Sequence, residues 1–399
     1  MADTAPSPGA PRRVIVALVL GQLGLHAAMA GLRMAAPLQA LRDGFSLWAV
    51  GLLLALFAAA PVLLAMHAGR LADRHGYHRP VYMAVVLVLA GMALALASTF
   101  VDRSAGFALL CVAATLTGTG ANMGLLTMQR TAGLAARDST ERVRLFSWLG
   151  IAPALANAVG PVAVGLTIDA AGFSAGYGVL LALPLLTLWS ARRVPRLPPP
   201  AAPAVDVHAV KSGRWDLLSL PGMRPLLAMN WLLSMCWDVH SFAVPILGHE
   251  RGFSAGTIGL ILGTFTLSVT AVRLGLPLLA HRLEERATLR VAMLATAVVF
   301  ALYPLAATPL LMAACAALLG VTLGAVQPMV LSTLHHITPD HRHGEALAFR
   351  SMAINASSTV MPLVFGAAGT VAGAALLFWA VGGAVGAGSW MTGQLVKAR

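Results

Sequence analysis

One carboxylate in the sequence, Asp238, stands well inside a long apolar run, with Asn230, Trp231, Cys236, Trp237 and His240 around it. A buried acid without a partner favours its protonated form, so it can take up a proton on one side of a barrier and release it on the other. An arginine or histidine beside it would instead hold it ionised. A second run supplies such partners: Gln22, His26 and Arg33, at i, i+4 and i+11, fall along one side of a helix. Imidazoles such as those of His26 and His240 titrate near neutral pH and suit proton coupling. The expected chemistry is proton exchange at Asp238, or an Asp238–Arg33 ion pair that closes a gate. The alternative is a structural, hydrogen-bonding acid.

Other polar groups share the apolar runs. Asn122, Asn157, Asn230, Gln327 and Asn355, with Gln22, can hydrogen-bond a substrate from a cavity. They can equally knit helices together, each such contact being worth about 0.6 kcal/mol in a membrane. Trp231 and Trp237 can cover an apolar or aromatic substrate. Arg130 and Arg350 flank two runs and either meet an anionic substrate or follow the usual charge asymmetry of membrane proteins. His335, His336, His341 and His343 cluster between runs, but no cysteine or second carboxylate group completes a metal site there. No metal or other cofactor is implied. A Gly-x-x-x-x-Gly-Lys loop, a dinucleotide fingerprint and a His-Glu-x-x-His motif are all missing, so the chain does not read as an enzyme.

The elements that must position these groups follow from composition. Of 399 residues, 58% are hydrophobic and only 11% charged, far below the roughly 25% of a soluble domain. Twelve segments approach the roughly 20 residues that span a bilayer: 13–34, 46–67, 80–99, 106–129, 144–167, 173–191, 225–247, 254–275, 289–307, 309–334, 346–369 and 371–393. The runs are continuous rather than alternating, which predicts helices and not a barrel. With the N-terminus inside, twenty-three of the 27 Lys and Arg residues fall on the cytoplasmic side, so both termini are expected there. That asymmetry accounts for the +12 net charge without a nucleic-acid partner. Asp238 then lies thirteen residues into the seventh span, about 20 Å deep. Cys111, Cys236 and Cys315 all sit in apolar runs and form no disulfide framework. The first run, behind Arg12 and Arg13, reads as a retained helix and not a cleaved signal.

The halves repeat. Gly44-Phe45-Ser46 returns as Gly252-Phe253-Ser254, an offset of 208 that also matches Gly51 with Gly259 and Arg74 with Arg282. At an offset of 201, Pro161 and Gly165 meet Pro362 and Gly366. The organisation predicted is an all-α membrane protein of two pseudo-symmetric six-helix bundles, 1–191 and 223–399, joined by a proline-containing cytoplasmic linker, 192–222. Two like-oriented bundles form an alternating-access device.

The stretch Gly69-Arg70-Leu71-Ala72-Asp73-Arg74-His75-Gly76-Tyr77-His78-Arg79 resembles the loop motif of the major facilitator superfamily, and the resemblance covers essentially the whole chain. It implies a conformational latch in which Asp73 meets the N-terminal end of the eleventh span. Gly69 would permit close approach, with Arg70, Arg74, Gly76 and Arg79 completing the motif. The second-half copy, Leu279 to Arg286, lacks the aspartate and glycine. In the fifth span, Gly160, Pro161 and Gly165 resemble half of an antiporter motif, with helix packing and a kink as the physical role. Ala114 stands where drug–proton exporters of the superfamily carry arginine. The resemblance implies a monomeric secondary transporter of a bacterial inner membrane, with a small-molecule substrate, protons and the lipid bilayer as its partners. Proton-coupled efflux of a small amphipathic compound is the first expectation, uptake of an organic anion or metabolite the second, and a non-transporting receptor or scaffold the third.

Overall fold

The computed structural model describes residues 12–135, 139–195, 216–279, 284–338 and 343–395. The described residues form eleven α-helices: α1 Arg12–Arg42, α2 Leu47–His75, α3 His78–Ala97, α4 Arg103–Ala135, α5 Ser139–Ala191, α6 Met223–Glu250, α7 Ala255–Leu279, α8 Glu285–Leu302, α9 Pro309–Gly324, α10 Val326–Ile337 and α11 His343–Gly388. Helix is what long apolar segments adopt when lipid leaves the backbone no other partner. Residues 196–215 of the linker lie outside the described residues, and Asp216–Ser219 is a short 3-10 turn.

Two of these helices each carry a break. Inside α5 the backbone leaves helical geometry only at Gly172 (φ 81°, ψ 177°), and inside α11 only at Gly373 (φ 77°, ψ 168°). Only glycine takes that conformation cheaply. The two glycines are 201 residues apart, the same offset that pairs Pro161 with Pro362. Each break separates what the sequence predicts as two spans. The opposite holds for the predicted span 309–334, which is two helices: Pro328 has no N–H to return to Gly324, and the helix is interrupted at Ala325.

Nine helical stretches among the described residues are long and apolar enough to cross a membrane, with Leu47–Pro61 a shorter apolar one; the sequence had predicted twelve. Residues 149–191 count as one stretch across the Gly172 break, and α6 is diluted by its own polar residues, Asn230, Asp238 and His240 among them.

The Gly-Phe-Ser repeat has a matching geometry at both places. After α1, Gly44 N–H donates to Leu41 O (3.0 Å) and Phe45 N–H to Ala40 O (2.9 Å); after α6, Gly252 donates to His249 O and Phe253 to Gly248 O, both at 2.9 Å. Both are Schellman caps with glycine in the left-handed region, φ 86° and 71°. The serine then starts the next helix, Ser46 Oγ accepting from Ala49 N–H and Ser254 Oγ from Thr257 N–H.

By packing, the chain forms two compact units, one of Met1–Arg33 and Ala59–Pro203, the other of Met34–Ala58 and Ala204–Arg399. In the first, α3 lies on α4, with Gly91 against Thr117 and Ala113 and Gly120 against Ala84. In the second, Gly320 lets α9 approach the backbone of α7 at Phe265, and Gly51 and Gly366 bring α2 and α11 into backbone contact. Without a hydrophobic force between helices in lipid, such small-residue contacts carry the packing.

Candidate functional site

The second unit gathers the polar groups. On α6, Asp238 is half-buried and accepts hydrogen bonds from Ser357 Oγ (3.2 Å) and Ser358 Oγ (3.3 Å) of α11. Eight residues earlier on α6, Asn230 is buried and its Oδ1 accepts from Arg350 Nε at 3.2 Å. Both rungs climb α6 and α11 in the same chain direction, so the two helices run parallel, the rungs about 11–12 Å apart along the axis.

Among the described residues, no carboxylate pairs with the charge of the lower rung. Arg350 is only 9% exposed, and one terminal guanidinium nitrogen, Nη2, is enclosed without any hydrogen-bond partner. Arg273 of α7 lies within electrostatic reach of it. Arg273 donates through Nη2 to Gln327 Oε1 of α10 (3.2 Å), while its Nε is enclosed and unpartnered. Among the described residues neither arginine has a carboxylate partner. Desolvating two like charges without a counter-charge is costly. Sequence reasoning named Asn230, Gln327 and, as one of two options, Arg350; it missed Arg273, which lies 77 residues away in the chain and near a helix end where arginines are common.

His240 stands in an aromatic cluster. It is fully buried, its Nε2 is 3.0 Å from Tyr303 Oη, and its ring lies 4.3 Å from that of Phe265. Tyr303 in turn stacks on Phe378, and Trp237 meets Phe265 edge-on at 4.6 Å. Trp231 is half-buried, and Asn355 and Gln327 are exposed. At the far end of α6, Arg251 donates from both terminal nitrogens to the carbonyls of Ala306 and Pro304, clamping the turn between α8 and α9. Burial lowers the pKa of Arg251, and Glu250 opposes that shift.

In the first unit Gln22 and His26, one turn apart on α1, are buried and hydrogen-bonded to each other. Arg33 is half-buried farther along α1, and Asn122 and Asn157 are half-buried on α4 and α5. Gly160 packs directly on α1: a Cβ there would lie 2.3 Å from Ala27 O and 2.8 Å from Gly31 N. Pro161 and Gly165 are buried beside it, and the break in α5 lies beyond both, at Gly172.

The latch segment is mostly helix and not loop. α2 continues through His75, and only Gly76 (φ 67°) and Tyr77 separate it from α3. Arg74 and Arg79 are exposed, while the side chains of Gly69, Arg70 and Asp73 lie outside the described residues. Of the histidine cluster, His336 faces Glu285 at 3.6 Å; His341 and the side chains of His335 and His343 lie outside the described residues.

The model of the Major Facilitator Superfamily matches residues 18–236 and 226–395. The chain belongs to that superfamily. It is accordingly a multi-span membrane transporter and not an enzyme. Solved transporter structures share the fold. The nucleoside transporter NupG is 13% identical, with a TM-score of 0.71 over 97% of this chain and 100% of that one. A POT family transporter in complex with 5-aminolevulinic acid is 12% identical, with a TM-score of 0.73 over 94% of each chain. A POT family transporter with a thioalcohol-conjugated peptide is 11% identical, again with a TM-score of 0.73 over 94% of each. At these identities the likeness is one of superfamily fold.

Proposed function

We propose that this superfamily member imports a small organic anion together with protons, by alternating access of two six-helix bundles, 1–191 and 223–399, about the linker 192–222. Twelve spans follow if the glycine breaks at 172 and 373 divide helices α5 and α11 and if α9 and α10 together make one crossing. Both termini then lie in the cytoplasm of a bacterial cell, with the chain in the inner membrane as a monomer. The observation that carries the substrate class is the enclosed, unpartnered Nη2 of Arg350 beside Arg273. A carboxylate or phosphate there would supply the missing counter-charge through charge-assisted hydrogen bonds.

Asp238 is the proton carrier in this reading. Two serine hydroxyls orient it on the same helix pair, and it is only half-buried. His26, His240 and Arg33 are its candidate coupling or gating groups, and Gln22, Asn122, Asn157, Trp231, Trp237 and Asn355 its candidate cavity lining. The latch role of Gly69, Arg70, Asp73, Arg74, Gly76 and Arg79 belongs to the same proposal. Efflux of an amphipathic drug has less support. Gly160 has a complete explanation in its packing on α1, and the cargoes named for the similar structures are nucleosides, peptides and 5-aminolevulinic acid.

The test is uptake into proteoliposomes under an imposed inward proton gradient, with radiolabelled cationic, neutral and anionic metabolites of similar size. Accumulation of anionic compounds that collapses when the gradient is dissipated is expected. Accumulation restricted to cationic or neutral compounds would overturn the assignment.

A further inference from the structure

A second feature of the first unit shares only Arg79 with the residues of the proposed latch. A groove of about 660 Å³ runs along the outer face of α3, lined by His75, Tyr77, His78, Arg79, Tyr82 and Met83 and continued by Val86 and Leu87. Its position on α3 follows from periodicity. Val81, Ala84, Val85 and Val88 are fully buried toward the bundle, so residues 79, 82, 83 and 86 face outward. Tyr82 is 38%, Met83 42% and Val86 63% exposed.

The chemistry changes along the groove. One end carries the guanidinium of Arg79 and the imidazoles of His75 and His78, at the junction of α2 with a candidate span that begins at His78. Tyr77 and Tyr82 flank His78, with ring centroids 5.2 and 6.1 Å from it. Cationic and aromatic residues of this kind collect where hydrocarbon meets water. The other end is purely apolar, Met83, Val86 and Leu87. From His78 to Leu87 the helix rises about 13–14 Å, close to the roughly 15 Å of one leaflet's hydrocarbon. Tyr77 is itself only 6% exposed, and its hydroxyl has no hydrogen-bond partner.

We infer that this groove is a binding site for an anionic phospholipid of the surrounding bilayer. Its phosphate rests against Arg79 between His75 and His78, and one acyl chain lies along Met83, Val86 and Leu87. Basic groups at a membrane surface attract anionic headgroups, and a zwitterionic lipid offers no net charge to them. A free phosphate would meet the cationic end but leave the apolar one uncovered. The inference does not depend on the substrate or on the direction of transport.

The full-length protein in detergent is titrated with phosphatidylglycerol, with phosphatidylcholine of the same chains and with glycerol phosphate, and bound lipid is counted by native mass spectrometry. Phosphatidylglycerol should be retained at least about fivefold better than phosphatidylcholine, the increment expected of one basic residue, and glycerol phosphate should not be retained. Arg79→Gln, on an exposed position, should remove most of the preference. Val86→Trp, which fills the apolar end, should lower retention of both lipids. Equal retention of the two lipids by the wild type would overturn the inference. So would a preference that survives Arg79→Gln, or retention that Val86→Trp leaves unchanged, in protein of unchanged helicity.

Discussion

Replacing Arg350 by glutamine should separate stability from binding. Arg350 contributes one hydrogen bond, to Asn230, and a buried charge that faces Arg273, with no carboxylate beside either among the described residues. The lost bond costs about 1 kcal/mol, and removing a desolvated, repelling charge offsets it. The melting temperature of the empty variant in detergent should therefore match or exceed that of the wild type. Binding should move the other way. An anion loses at least one charge-assisted hydrogen bond, about 1.5–3 kcal/mol, or roughly 10- to 150-fold in affinity. The assay is thermal unfolding with a panel of small carboxylates and phosphates. A ligand present at 100 times its Kd stabilises the wild type by about 2.7 kcal/mol. At the same concentration a hundredfold weaker variant would gain only about 0.4 kcal/mol. The reasoning is refuted if Arg350→Gln melts well below the wild type while the anion stabilises both equally, because Arg350 would then be a structural residue.

Three further outcomes follow from the same geometry. Asp238→Asn keeps the size of the side chain and its ability to bond Ser357 and Ser358, so it should fold normally. It should abolish accumulation driven by a proton gradient while leaving exchange of substrate across the membrane measurable; unchanged pH-driven accumulation would remove Asp238 from the coupling role. Gly160→Ala places a methyl 2.3 Å from a backbone oxygen of α1 and should cost about 1–3 kcal/mol in thermal unfolding, whereas Gly178→Ala meets nothing within 4 Å and should be neutral or slightly stabilising. Arg251→Ala releases the carbonyls of Pro304 and Ala306 and should cost about 1–2 kcal/mol, seen as faster hydrogen exchange in the 303–308 turn.

The parts of this molecule governed by local rules were legible in the sequence. The Gly-Phe-Ser repeat marked a duplication, and in the structure both copies are glycine-terminated helices restarted by a serine cap, because the left-handed position and the cap depend on only a few neighbouring residues. The breaks at Gly172 and Gly373 obey the same 201-residue offset that aligns the prolines, and they could have been found by extending that register. Span counting was weakest where chemistry is densest. Helix α6 carries Asn230, Asp238 and His240, and these polar residues keep it out of the nine apolar stretches. α2 runs on through Arg74 and His75, beyond its apolar stretch Leu47–Pro61.

The charged part of the site was harder to read. Asp238 is conspicuous as an acid within an apolar run, and Asn230 was named beside it. Arg273 and Arg350 look like ordinary basic residues at span ends, where the distribution of charge across the membrane already explains them. Only folding shows that they come close together, that Asn230 and Gln327 hold one each, and that no acid among the described residues joins them. His240 remains a candidate coupling group, but its contacts with Phe265 and Tyr303 could not be read from the sequence.

The most direct test of anion–proton import uses proteoliposomes loaded with a pH-sensitive dye, with no proton gradient imposed and a substrate anion added outside. The account predicts acidification of the lumen as protons enter with the anion, absent in Asp238→Asn and strongly reduced in Arg350→Gln. Transport of the anion with an unchanged or alkaline lumen would contradict it.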